Sequence, residues 1–205
     1  TGDTSAAAAL YASYLNPHIK SAVLLPHKKV TPQQLSQPLG SGATVFEIPG
    51  VFDDCMKVVE ALSEQYEVAL LNSKNAWRIL GQESYSYEIA QEFEYRLEDK
   101  AMVVPIGNAG NITSYWAGFK QYDELLSMGT PHVLGVQAAG SAPLVLGHPV
   151  DKPETVATAI RIGAPARGEQ ALQAAEESRG QIIAATDENI LDMQKSLAQM
   201  EGIWV

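Results

Sequence analysis

Short apolar runs alternate with longer stretches of helical spacing along this chain. The runs at 21–26, 43–48, 67–72, 101–106, 132–137, 181–185 and 203–205 read as strands. They are almost continuously apolar, the pattern of strands covered on both faces. Helical spacing fills 3–15, 31–40, 52–66, 82–97, 111–127, 169–178 and 187–200. Asn16-Pro17 ends the first helix, because a residue before proline is pushed out of the helical region. Thr31 is an N-cap with Pro32 in the first helical position. Val58, Val59 and Leu62 share one face of the third helix. The last helix is capped by Thr186 or Asp187. The stretch 138–153 is rich in Gly and Pro and reads as loop. Strict β/α alternation predicts an α/β fold of mainly parallel sheets with right-handed crossovers. A change of character near residue 75 predicts two doubly wound sheets, over 1–75 and 76–205.

Composition narrows the partners. The chain has 205 residues, of which 46% are hydrophobic and 19% charged, enough for a real core. Its formal net charge of -10 speaks against nucleic acid or an anionic membrane surface as partner. The single cysteine, Cys55, allows no intrachain disulfide and reads as a small buried hydrophobe. No apolar run approaches the roughly 20 residues of a membrane span. A reducing, cytoplasmic setting is expected. The chain opens on Thr1-Gly2-Asp3-Thr4 without an initiator Met and closes on a strand-like Gly202-Ile203-Trp204-Val205. An internal piece of a longer protein is expected, its sheets incomplete at both ends.

In such sheets ligands bind beyond the carboxyl ends of the strands. Three polar clusters fall there. Thr1-Gly2-Asp3-Thr4-Ser5 opens a helix with hydroxyls and N–H groups that suit a carboxylate, and equally suit a plain capped helix. Asn72, Ser73 and Arg78 follow the third strand, and Arg is the side chain best shaped for phosphate. On spacing alone a polar loop with a surface arginine fits that cluster better. The third cluster, Gly107-Asn108-Ala109-Gly110-Asn111, breaks an apolar strand and leads into a helix. Such a turn aims backbone N–H groups at an anion, and glycines let the backbone approach it. It lacks the Gly-Lys-Ser/Thr ending of nucleoside triphosphate loops, and phosphate binding outweighs a bare tight turn. His18, His27, His132 and His148 have no metal spacing and read as surface or loop residues. Asp53-Asp54 and Glu176-Glu177 read as solvated helix faces.

Taken in order, these clusters resemble the threonine synthase family of pyridoxal-phosphate enzymes. The 1–7 segment looks like the family's loop against cofactor and substrate carboxylate. Gly50-Val51-Phe52-Asp53-Asp54 is similar to its "G-x-F-D-D" segment. The stretch 71–78 resembles its "N-S-x-N-x-x-R", and 105–111 its cofactor-phosphate cradle. The stretch 154–163 is similar to "A-T-A-I-R-I-G". The resemblance covers essentially the whole chain. It implies fold type II of the pyridoxal-phosphate enzymes and a lyase that turns O-phosphohomoserine and water into threonine and phosphate. It implies pyridoxal 5'-phosphate as cofactor, bound by Asp3, Gly107, Asn108, Ala109, Gly110 and Asn111. It implies a substrate held by Thr4, Ser5, Asn72, Ser73 and Arg78.

The family's Schiff-base lysine lies in a Ser-Phe-Lys-Asp-like segment ahead of the Thr1 loop. None of the chain's lysines has that context, so no catalytic residue is assigned and the chain alone is expected to be inactive. Asp3 stands where many members have Asn facing the ring hydroxyl. Gln34 stands near a position where some members have a phosphate-binding lysine, with Lys28 and Lys29 close by in sequence. Two other readings remain: a related lyase such as a threonine dehydratase or cysteine synthase, and a non-catalytic phospholigand-binding module. A homodimer stays open as the assembly.

Overall fold

Parallel β-sheet and helix alternate through the computed structural model, which describes residues 3–27, 32–49, 52–72 and 75–205, with the backbone alone for Asp3, Gln33, Gln34, Phe52 and Asp53. The chain divides into two units, Thr1–Asn72 and Ser73–Val205.

In the first unit α1 (Asp3–Tyr14) precedes β1 (Ala22–Pro26), α2 (Pro32–Gly40), β2 (Thr44–Ile48) and α3 (Phe52–Gln65). β1 and β2 pair in parallel, Ala22 opposite Thr44 and Pro26 opposite Ile48. Ala9, Val23, Leu25 and Ala43 form the core, with Leu35 and Val45 against it. Alanine at Ala9 lets α1 approach closely, and α1 packs on α2 while α3 packs on β1. Cys55 is buried on α3, as expected of a free cysteine that behaves as a small hydrophobe. The expected cap Thr31 lies outside the described residues, as do Lys28 and Lys29.

In the second unit come α4 (Ala76–Gln82), α5 (Ser84–Glu92), β3 (Ala101–Pro105), α6 (Gly110–Leu126) and β4 (His132–Ala138). After these follow α7 (Pro143–Leu146), α8 (Gly168–Glu177), β5 (Gln181–Ala185) and α9 (Asp187–Glu201). The three-stranded sheet runs β3-β4-β5, all parallel. Ile112, Trp116 and Phe119 recur at helical spacing on the buried side of α6. They meet Val104, Ile106 and Val133 from the sheet and Ala171 and Ala174 from α8. Gly135 in the central strand leaves room for Ile106, whose Cδ1 lies 2.3 Å from where a Cβ would stand.

Four expectations change. Residues 67–72 form no strand, and Val68 and Leu71 are exposed. The described sheet of that unit has two strands, and an apolar run becomes a strand only where an edge takes up its N–H and C=O groups. Residues 203–205 likewise join no sheet; Gly202, left-handed at φ 67°, closes α9 before them. The helix expected over 82–97 instead starts at Ala76 and ends at Glu92. Asn75 caps it by accepting from the Trp77 N–H at 2.8 Å. Glu94 and Tyr95, both at positive φ, turn the chain out of it. The 138–153 loop contains α7 and a turn of 3-10 helix at Ala139–Ser141.

Candidate functional site

β3 carries its pairing one residue past its end, where the Ile106 N–H donates to Val136 O at 2.8 Å. The fully buried Ile106 side chain holds this strand end in the core. The chain then turns through Gly107 and Asn108 to Ala109, which is left-handed at φ 64°, ψ 15° and buried. α6 starts at Gly110. Thr113 returns both its N–H, at 3.3 Å, and its hydroxyl, at 2.7 Å, to Ala109 O. The first N–H groups of a helix have no partner a turn earlier, and the helix dipole favours an anion there. A left-handed alanine costs about 1–2 kcal/mol, and such strain collects at ligand sites. A Cβ on Gly107 would lie 3.2 Å from Ala159 O and 3.3 Å from Ile160 Cα; on Gly110 it would meet only Ile79 Cδ1, at 3.8 Å. Gly107 is therefore fixed by backbone packed behind it, while Gly110 faces space. Asn108 Oδ1 accepts from the Ala166 N–H at 3.5 Å.

The wall behind Gly107 is a strap over residues 154–163, including a 3-10 turn at Thr158–Ile160. The Ser141 hydroxyl donates to Ile162 O at 3.2 Å, and Val150 N–H to Gly163 O at 2.9 Å. Glu154 N–H donates to Gly140 O at 3.0 Å. From α9, Asp187 accepts the Thr155 hydroxyl at 2.5 Å and the Val156 N–H at 3.1 Å. The sequence singled out the 154–163 motif but not its tie to Asp187, which reads there as one of two candidate helix caps. Thr186 is that cap, accepting from the Asn189 N–H at 3.2 Å.

Arg78 stands half-buried on α4, beside Ile79, whose side chain touches the space at Gly110. The polar-loop reading of this cluster thus gives way to a capped helix packed against α6. Asn72 closes the first unit and Ser73 lies outside the described residues. Asp3 opens α1, with Thr4 and Ser5 half-buried in its first turn. Among the described residues no group of three His, Cys, Asp or Glu could hold a metal. His27 pairs with Glu47 at 2.6 Å, and the ring Nδ1 of His132 contacts Ser178 O at 2.9 Å. Glu177 is more than a solvated acid. It accepts the buried Trp116 indole N–H at 2.6 Å, Lys120 Nζ at 2.7 Å and Gln173 Nε2 at 2.6 Å. Those donors, Lys120 first, pull its carboxyl down to about 2.

In a parallel α/β protein, a strand end that opens on a glycine turn and a helix N-terminus offers unpartnered backbone N–H groups suited to an anion. The chain belongs to the pyridoxal-phosphate dependent enzyme family, whose model matches residues 1–205. It is 44% identical over 207 residues to the threonine synthase of Mycobacterium tuberculosis (strain H37Rv), covering 100% of this chain and 56% of that protein. It is 40% identical over 204 residues to the threonine synthase of Bacillus sp. (strain ULM1), covering 100% of this chain and 57% of that protein. The chain thus spans about half the length of the curated relatives it matches. Its fold matches the processed form of threonine deaminase isoform 2 from Solanum lycopersicum, with TM-score 0.79 and 20% identity, covering 100% of this chain and 55% of that one. It also matches maize serine racemase, with TM-score 0.77 and 17% identity, covering 98% and 60%. These structures support the fold type II assignment. The 107–111 turn fits the phosphate of the family's cofactor: a helix N-terminus, small residues, and space at Gly110 that a side chain would fill.

Proposed function

We propose that this chain provides the cofactor-phosphate cradle and substrate-binding residues of a threonine synthase. The reaction converts O-phosphohomoserine and water to threonine and phosphate. The observation that carries this reading is the match of the whole chain, at 40–44% identity, to relatives named threonine synthase. Its glycine turn supports the same reading on physical grounds. In the second unit, Gly107, Asn108, Ala109, Gly110 and Asn111 cradle the cofactor's phosphate with backbone N–H groups. Arg78 binds the substrate's phosphate, a bidentate task that Lys performs less well. Thr4 and Ser5 are assigned to the substrate carboxylate, and Asp3 to the cofactor, by resemblance. Asn72 and Ser73 are assigned to the substrate's phosphate by resemblance. When bound, pyridoxal phosphate supplies the electron sink for the chemistry. No lysine of this chain is assigned to hold it covalently. The partner is a small molecule, the setting cytoplasmic, and a homodimer is the assembly to test.

Assays on the protein as its gene encodes it decide the matter. Threonine and phosphate released together from O-phosphohomoserine support the reading; deamination of threonine without use of O-phosphohomoserine contradicts it. Arg78→Ala is expected to lower kcat/KM for O-phosphohomoserine about tenfold to a hundredfold, the scale of a lost charge-assisted hydrogen bond. An equal loss with an unphosphorylated substrate contradicts the role given to Arg78.

A further inference from the structure

The strap behind the cradle is tied at several points, and among the described residues all but one lie within the loop that follows β4. Ser141, Val150 and Gly140 hold residues 154, 160, 162 and 163. The exception is Asp187, at the start of α9. Its two carboxylate oxygens take separate donors, the Thr155 hydroxyl on Oδ1 and the Val156 N–H on Oδ2. The Thr155 hydroxyl oxygen in turn accepts the Ala157 N–H at 3.1 Å. Thr155 is buried, so its bond to Asp187 is partly shielded from water, while the Val156 bond lies at the surface. Two residues beyond Ala157, the carbonyl of Ala159 and the Cα of Ile160 lie against Gly107. A short run of backbone therefore links a carboxylate on α9 to the glycine that shapes the phosphate turn. Gly107 has no side chain to fix itself, so the backbone pressed on it determines where the turn's N–H groups point.

We infer that Asp187 is a positioning residue for the cofactor phosphate: through Thr155 and Val156 it holds the 154–163 strap against Gly107, and so sets the aim of the 107–111 turn. The inference rests on the reading that this turn binds the cofactor's phosphate. Asp187 touches neither cofactor nor substrate in this role. A carboxylate is suited to the task because it accepts from two donors at once.

The test compares equilibrium binding of pyridoxal phosphate with that of pyridoxal, which lacks the phosphate. The ratio of the two affinities cancels whatever the ligands share. Asp187→Ala and Thr155→Val, in the protein as its gene encodes it, are expected to weaken pyridoxal phosphate about tenfold, the scale of one lost charge-assisted hydrogen bond. Pyridoxal binding should be unchanged. Asp187→Asn, which keeps one acceptor oxygen for Thr155, should recover part of the loss. Gly107→Val serves as the control for the cradle and should weaken pyridoxal phosphate at least as much. If Gly107→Val weakens it and the strap variants do not, the inference is overturned while the cradle stands. If Asp187→Ala weakens pyridoxal equally, Asp187 acts on the general fold and the inference is again overturned. If Gly107→Val changes nothing, the cradle itself fails and the inference with it. Should Asp187→Ala not fold, Thr155→Val and Asp187→Asn give the same decision.

Discussion

A carboxylate near the C-terminal end of a helix faces the negative end of the helix dipole, and Glu177 occupies that position on α8. It is offset by donors from two elements: Trp116 and Lys120 on α6, and Gln173 one turn earlier on α8. Together they clasp α8 to α6 at the edge of the core. The carboxyl is held at about 2, against an ordinary 4.5, so the fold prefers the ionised form. That stabilisation is complete above the ordinary value and is lost as pH falls through about 2. Glu177→Gln is expected to lower stability at neutral pH, with the difference from the parent shrinking as pH drops from about 5 towards 2. Denaturant midpoints across that range check it; a pH-independent difference contradicts the clasp. Sequence spacing could not reveal this, since Trp116 and Glu177 meet only once α6 and α8 lie on one sheet face. Gly107 was legible, because a glycine at a strand-to-helix turn signals itself locally.

At the level of elements, the helix pair α5–α6 depends on a missing side chain. A Cβ on Gly118 would lie 2.7 Å from Glu83 O and from Ser86 Oγ. Ser86 is fully buried and its hydroxyl donates to Tyr115 O at 2.7 Å, so it cannot simply swing away. Gly118→Ala should therefore destabilise the fold by about 1–3 kcal/mol, despite alanine's better helix propensity. A thermal melt reads this, and an unchanged or raised Tm contradicts the packing described. Elements whose signal is local were legible in the sequence: the helix of α6, the start of α9 with its cap narrowed to Thr186 or Asp187, and the apolar runs that found partners in β1 to β5. The runs at 67–72 and 203–205 look the same locally. What they lack is a neighbouring edge, and an edge is a property of the fold rather than of the run. The start of α4 was hidden because Asn72, Ser73, Lys74 and Asn75 resemble loop, although Asn75 is in fact a cap.

For the molecule as a whole, the sheet of the second unit is finished on one side only. The face towards α6 and α8 is packed, while Val103 is 64% exposed and Ile183 44% exposed on the other. Parallel sheets are ordinarily covered on both faces. This 205-residue chain by itself should therefore bind a hydrophobic dye or self-associate; a monomer that binds no dye contradicts that expectation. The parallel β/α order and the pyridoxal-phosphate family were both legible in the sequence, through motifs spread along the chain. The tie between the 154–163 strap and Asp187 was not, because the 32-residue separation of Thr155 from Asp187 leaves no periodic trace. Under the proposed function the 107–111 turn holds the phosphate of pyridoxal phosphate. A crystal structure of the protein with pyridoxal phosphate tests it most directly. The phosphate is expected at the N-terminus of α6, within hydrogen-bond distance of the backbone N–H groups of the turn. A cofactor phosphate bound anywhere else contradicts it.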